Sequence, residues 1–255
     1  MPLLNANKIN KLLAEGIPNG LYFTGWLVAN GYSPQLLQQY RNTGWLEMLN
    51  RGVYYRAGEQ LSAYAAIASC SKQTQSHLRL AAHSALELHG VMHFVPMGKP
   101  RAMVTTNQRH KMLWLQSDLF DRDFHYFFTP QLPNEEAEMW IDHGLQLPAS
   151  SQELAILECL YLAPKWYSYM DVFYLMEMLS TLRPNLLQQL LERTTSYRVK
   201  RMFLYMAEKV AYPWWKKLDI SRIDLGTGTM QLTEDGGAYI SKYKITIPQE
   251  LKDYE

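Results

Sequence analysis

The sequence predicts an α+β protein: an N-terminal winged helix-turn-helix followed by a larger α+β domain. Three observations carry this expectation. The first third runs helix, helix, turn, helix, hairpin. The middle third breaks into short β-branched and aromatic runs separated by Pro, Asn and Asp. From Ser151 onward, apolar residues recur at i, i+3, i+4 and i+7. The 255 residues fit one large domain or two ordinary ones. We place the division at residues 1–75 for the winged helix-turn-helix and 76–255 for the α+β domain.

Asn7–Glu15 sets Ile9, Leu12 and Leu13 on one helical face and stops at Gly16. Thr24 is placed to cap a short helix through Trp26, Leu27 and Ala29, which Gly31 ends. Ser33 caps the next helix, Pro34–Arg41. Pro34 opens it at the position where a missing N–H costs nothing. Two β-rich runs, Trp45–Leu49 and Val53–Arg56, flank Asn50-Arg51-Gly52 and predict a hairpin. Glu59–Ser69 and Ser76–Leu88 predict helices. Arg101–Thr106, Phe124–Thr129 and Met139–Gln146 predict a small sheet. Helices follow over Glu153–Leu162, Asp171–Thr181, Asn185–Thr194 and Val199–Ala211. The last shows the clearest stripe, in Val199, Met202, Phe203 and Met206. Ile223–Leu225, Met230–Thr233 and Tyr243–Ile247 predict closing strands, with Gly226, Gly228, Gly236 and Gly237 in the turns.

Apolar residues make up 47% of the chain and charged ones 19%, which excludes a disordered protein and supports a sizeable core. The net charge of +1 excludes a strongly basic or acidic chain taken whole, but the charges are segregated. Residues 1–117 carry 11 basic against 4 acidic side chains. Residues 118–158 carry Arg122 against nine acids, and residues 159–255 carry 13 against 11. Cys70 and Cys159 are too few and too distant for a disulfide framework and predict two reduced, buried thiols. The N-terminus lacks the pattern of a signal peptide, and no run reaches the roughly 18 apolar residues needed to span a bilayer. A cytoplasmic protein with no membrane partner is expected.

In a winged helix-turn-helix, the helix after the turn enters the major groove and the wing lies on the backbone or minor groove. Here that helix is Pro34–Asn42. Leu36, Leu37 and Tyr40 share its inward face, which leaves Gln35, Gln38, Gln39, Arg41 and Asn42 outside. Gln and Asn pair with adenine, and Arg pairs with guanine or phosphate. We assign Gln35, Gln38, Gln39 and Arg41 to bases, and Ser33, Asn42 and the wing-tip Arg51 to phosphates. So few cations per protomer imply a homodimer on double-stranded DNA. A second basic surface is expected on the last long helix, where Arg198, Lys200, Arg201 and Lys209 are placed to face solvent. It would meet DNA backbone, or the acidic stretch Asp118–Glu158, or water alone.

No catalytic constellation emerges. His83, His89 and His93 lack the continuous helix and third ligand of a metal site. Gly226-x-Gly228 follows no βα unit, and there is no Walker lysine or Gly-x-Ser-x-Gly. Asp118, Asp121 and Asp123 lack the glycine and terminal glutamate of a calcium loop. The reading is a non-enzyme with no cofactor and no metal.

The stretch Gly31-Tyr-Ser-Pro-Gln-Leu-Leu-Gln-Gln-Tyr-Arg-Asn-Thr-Gly-Trp-Leu-Glu-Met-Leu-Asn-Arg-Gly-Val-Tyr-Tyr-Arg-Ala-Gly58 resembles the N-terminal winged-helix domain of the AbiEi antitoxin family. The likeness continues in Ala85–Gly90, Leu182–Leu191, Tyr197–Leu204, Asp224–Gly228 and Lys242–Pro248. Those matches span most of the chain. The stretch Gln116–Glu138 matches weakly, and Thr229-Met230 and Glu234–Ala238 depart from a more basic family pattern. The resemblance implies an antitoxin of an abortive-infection, type IV toxin–antitoxin system. Such a protein represses its own promoter at inverted repeats and opposes a nucleotidyltransferase-like toxin through residues 76–255. The alternative is a protein-interaction module. In that reading the C-terminal domain binds a partner enzyme and the winged helix serves dimerisation or docking.

Overall fold

The computed structural model of the chain describes residues 2–92, 98–107, 112–133, 137–233 and 236–254, with side chains described from residue 8 onward. The chain folds as two compact units. The first comprises Met1–Leu80, Pro96–Phe128 and Ala137–Ala149. The second comprises Ala81–Val95, Thr129–Glu136 and Ser150–Glu255. The expected division after residue 75 falls inside the first unit.

The first unit opens with α1 (Pro2–Glu15), β1 (Tyr22–Phe23), α2 (Thr24–Ala29), α3 (Pro34–Asn42), β2 (Leu46–Asn50) and β3 (Val53–Arg56). The strands form an antiparallel sheet in the order β1-β3-β2, so the predicted winged helix-turn-helix is present with its wing. Its core comes from one face of each helix and the start of the wing: Ile9, Leu12, Leu27, Leu36, Leu37, Tyr40 and Leu46 are buried together.

The next helix, α4 (Ala63–Gln73), starts four residues later than the pattern suggested. Two side chains set that start. Ser62 Oγ accepts from Ala65 N at 3.5 Å, and Asp121 Oδ1 accepts from Ala63 N at 2.7 Å. The second of these lies 58 residues away in sequence.

The expected helix Ser76–Leu88 is broken. Arg79–Leu80 forms β4, pairing antiparallel with Val104–Thr105 and, through Leu80, parallel with Ala149. With β5 (Arg101–Thr105), β6 (Asp123–Phe127), β7 (Glu138–Asp142) and β8 (Leu145–Ala149) it builds a mixed five-stranded sheet, ordered β6-β5-β4-β8-β7. The run Met139–Gln146 is thus two strands, not one. His143 and Gly144, at φ 46° and 82°, make the tight turn between them. Trp114, Phe120 and Phe124 pack edge to face at 5.0–6.0 Å beside this sheet.

The second unit is built on α6 (Gln152–Leu162), which α5 (Ala82–Leu88), α7 (Tyr169–Met178), α8 (Pro184–Arg193) and α9 (Tyr197–Val210) surround. A helix covered on all sides buries its acids as well as its leucines. Glu153 and Glu158 are both interior, so each needs a partner. Glu153 holds Arg183 through Nη2 at 2.7 Å and Nε at 3.1 Å, and accepts from Arg183 N at 2.6 Å. Glu158 accepts from Ala82 N at 2.9 Å and from Ser150 Oγ at 3.0 Å.

The chain closes with β9 (Met230–Gln231), β10 (Ala238–Ile240), β11 (Ile245–Ile247) and α10 (Gln249–Asp253). Strand order is β10-β11-β9, with β11 parallel to β9. Gly237 sits where an added Cβ would lie 2.5 Å from Ile247 O, so only glycine fits the approach to β11. Ile223–Leu225 forms no strand.

Candidate nucleic-acid interface

The geometry of α3 follows from its first residues. Ser33 Oγ accepts from Leu36 N at 3.2 Å, and Pro34 occupies the first turn. With that start fixed, Leu36, Leu37 and Tyr40 point into the core. Gln35, Gln38, Gln39 and Asn42 are exposed and Arg41 is half-buried. Gly44, at φ 73°, ends the helix and lets Trp45 N reach Tyr40 O at 2.9 Å.

Three side chains on this face are joined. Arg41 Nη1 donates to Gln38 Oε1 at 3.2 Å, and Gln38 Nε2 donates to Asn42 Oδ1 at 2.9 Å. The residues stand at i, i+3 and i+4, which puts them side by side on a helix. Gln35 and Gln39 make no side-chain hydrogen bond among the described residues.

The wing tip is tied to the helices. Gly52, at φ 84°, turns its carbonyl toward Thr24, whose N and Oγ1 both donate to it at 2.9 Å. This corrects the expected role of Thr24. Phe23 occupies the cap position of α2 without a side-chain bond, and Thr24 anchors the wing instead. The sequence carries a threonine at a helix start, and nothing local distinguishes a cap from a clasp 28 residues away. Arg51, at the tip, is exposed and has no ionic partner among the described residues. Glu47 on β2 is engaged by Tyr55 Oη at 2.5 Å. Burial, with that bond adding to it, pushes the Tyr55 phenol up to about 12, so it stays neutral. Trp45 and Met48 are 44% and 42% exposed.

The expected basic surface on α9 does not form. Arg201 is 1% exposed and Lys200 is 2% exposed. Arg201 donates to the carbonyls of Leu225 (2.6 Å), Gly228 (2.6 Å) and Lys244 (3.1 Å). Lys200 lies 5.1 Å above the Tyr197 ring. Burial pushes its ammonium below the usual lysine range, with Asp224 opposing the shift. Arg198 is half-buried and donates to Leu160 O, Tyr161 O and Ala163 O. Lys209 is half-buried, and its Nζ reaches Lys252 O at 3.2 Å. The apolar stripe assigned α9 a single buried face. The segment 224–228 and the approach to β11 cover a second face, and the buried Arg201 holds that cover in place through its three carbonyl bonds.

Several other titratable groups have partners within the fold. His83 Nδ1 lies 2.7 Å from Tyr167 Oη, and His89 Nε2 lies 3.5 Å from Ser150 O. His93, Glu135, Glu136, Glu234 and Asp235 lie outside the described residues. Asp121 caps α4, and Asp123 pairs with Lys99 at 3.0 Å. Cys70 and Cys159 are free and buried, and burial raises both thiols above the usual range. Among the described residues no three His, Cys, Asp or Glu side chains are grouped to hold a metal.

A family model described as the N-terminal domain of the AbiEi antitoxin, a transcriptional regulator, matches residues 5–97. One described as the AbiEi antitoxin of a type IV toxin–antitoxin system, also a transcriptional regulator, matches residues 100–248. The chain belongs to the AbiEi antitoxin family. Among solved structures it is similar to the RV2827C protein of Mycobacterium tuberculosis. The two share 14% identity over 95% of this chain and 90% of that one, with a TM-score of 0.63, which speaks for the fold. No curated protein matches the chain. As in the family description, a regulator domain precedes a longer C-terminal domain, and α3 with its wing falls inside the regulator match. No helix of the described residues is long and apolar enough to cross a membrane.

Proposed function

We propose that this AbiEi-family chain is a DNA-binding autorepressor and antitoxin, cytoplasmic and non-enzymatic, that counters a nucleotidyltransferase-like toxin. Residues 1–75 read the chain's own promoter as a homodimer on inverted repeats, and residues 76–255 carry the antitoxin function. The observation that supports this reading is the outer face of α3: a capped helix presenting Gln35, Gln38, Gln39, Arg41 and Asn42 beside a wing whose tip, Arg51, has no ionic partner among the described residues. Gln35, Gln38, Gln39 and Arg41 contact base edges, and Ser33, Asn42 and Arg51 contact phosphates. Ser33 is compatible with this because its cap uses the oxygen as acceptor and leaves the hydroxyl proton to donate.

The test is a gel-shift titration on the chain's own promoter at several salt concentrations. The pair Gln38→Ala with Arg41→Ala is expected to abolish specific binding without changing the circular dichroism spectrum. Arg51→Ala is expected to lower the salt slope by about one. Retained, salt-resistant binding by the double variant overturns the assignment.

A further inference from the structure

We infer that Thr24 is a positioning residue for DNA binding: its two hydrogen bonds to the Gly52 carbonyl hold the wing tip where Arg51 meets a phosphate. The inference rests on the DNA-binding reading above and adds to it a residue that acts through another. A hairpin tip is poorly placed to hold its own position. Here the β2–β3 register shifts between Met48 and Asn50, so the ladder is disturbed just before the turn. Gly52 then takes φ 84°, a conformation open to glycine, and its carbonyl points at Thr24. Thr24 N and Thr24 Oγ1 each donate to it at 2.9 Å. A carbonyl oxygen has two lone pairs, and both have a donor here. The bond from N extends the β1–β3 pairing one step past Phe23 and Val53. The bond from Oγ1 is the additional tie, and the branched Cβ of threonine leaves that hydroxyl few rotamers to occupy.

A clasp is only as firm as the element that carries it. β1 is an edge strand, and it runs directly into α2 at Thr24. Its outer edge is held by one amide from α4. Phe23 N donates to Gln73 Oε1 at 2.9 Å, and Gln73 Nε2 donates to Leu21 O at 2.8 Å. Gln73 thus serves β1 as a neighbouring strand would. On the other side of Thr24, Leu27 of α2 is buried in one cluster with Leu36, Leu37 and Tyr40 of α3. The wing tip and the outer face of α3 therefore share one frame, and Thr24 is the joint between them. Arg51 is the residue next to Gly52, exposed and without an ionic partner among the described residues. Its backbone is held in place before DNA arrives, so less ordering is left for binding to impose.

The experiment is a gel-shift titration over a range of salt with the full-length protein. It uses the chain's own promoter and a duplex of unrelated sequence. The variants are Arg51→Ala, Thr24→Val, Thr24→Ala, Thr24→Ser and the double Thr24→Val with Arg51→Ala. Thr24→Val and Thr24→Ala remove the hydroxyl and are expected to lower the salt slope by about one, the same drop as Arg51→Ala. Both duplexes should weaken by the same factor, because a phosphate contact carries no sequence information. Thr24→Ser keeps the donor and should keep the wild-type slope. The double variant should bind within about twofold of Arg51→Ala alone, since nothing is left to position. Partial unfolding would lower affinity equally at every salt concentration and does not imitate this pattern. A wild-type slope in both Thr24→Val and Thr24→Ala overturns the inference and leaves DNA binding standing. So do additive losses in the double variant, or a wild-type slope in Arg51→Ala. Failure of the wild type to bind either duplex overturns both.

Discussion

Arg201 is the side chain on which sequence expectation and structure differ most, and Arg201→Met measures the difference. The guanidinium is 1% exposed and makes three hydrogen bonds to main-chain carbonyls. Hydrogen bonds from a charged group contribute about 1.5–3 kcal/mol each, so the gross loss is roughly 5–9 kcal/mol. Removing a buried cation also returns several kcal/mol of desolvation cost, which leaves a net destabilisation of about 2–4 kcal/mol. One carbonyl belongs to Lys244, a non-glycine residue held at φ 52°, which has less to hold it once the guanidinium is gone. At about 2–4 °C per kcal/mol for a chain of this size, the melting temperature should fall by roughly 5–15 °C. Circular dichroism melts should show the loss in the transition of the second unit, and a gel shift well below that transition should show normal DNA affinity. Arg201→Lys retains a point charge without the fork and should recover only part of the loss. An unchanged melt together with weakened DNA binding would refute the burial argument and place Arg201 on a nucleic-acid surface.

Two further outcomes test the local structure. Burial alone would raise the Glu153 carboxyl, but the Arg183 bonds outweigh it and hold it below its usual 4.5. A depressed carboxylate stabilises fully above the unfolded value, and the contribution is lost as pH falls through the folded one. Urea titrations should therefore show Glu153→Gln to be less stable near neutrality by about 2–4 kcal/mol, with the gap to wild type closing in acid below about pH 4. Parallel stability curves for the two proteins would rule this out. Ser33→Ala removes the cap of α3 and should cost about 1 kcal/mol, with Ser33→Asp restoring most of it. A melt that does not respond to Ser33→Ala would show the cap to be idle.

Features that depend on neighbours in sequence were readable before the structure. The cap at Ser33, the inward trio Leu36, Leu37 and Tyr40, and the wing around Asn50-Arg51-Gly52 each express a local rule, and each stands where the pattern put it. Features decided by distant partners were not. The start of α4 depends on Asp121, the break before α5 depends on pairing with β5 and β8, and Thr24 serves Gly52 rather than its own helix. The α9 error has the same root. Helical periodicity identifies the strongest apolar stripe, but it is silent about a second cover made of irregular chain, and polar residues under such a cover look solvent-facing in sequence. The joined side chains Arg41, Gln38 and Asn42 lay within reach of sequence reasoning, since i, i+3 and i+4 spacing places them together.

The segregated charge takes on a physical meaning once partners are assigned. Four of the nine acids of residues 118–158 are structural: Glu153 and Glu158 sit inside a helix bundle, Asp121 caps a helix and Asp123 pairs with a lysine. The cations of the winged helix are also partly committed. Lys11 pairs with Glu15, Arg56 pairs with Glu59, and Lys8 and Lys72 bond to main-chain carbonyls. Among the described residues that leaves Arg51 uncommitted and Arg41 bonded only to a neutral amide, on the wing and on α3. Two such cations give a small electrostatic contribution per protomer, because each neutralised phosphate adds only about one unit to the salt slope. Repression by a module built this way depends on the geometry of base contacts and on doubling those contacts by symmetry. Side chains on α3 that are joined before they meet DNA suit that requirement, since this spares part of the side-chain ordering that binding would otherwise cost.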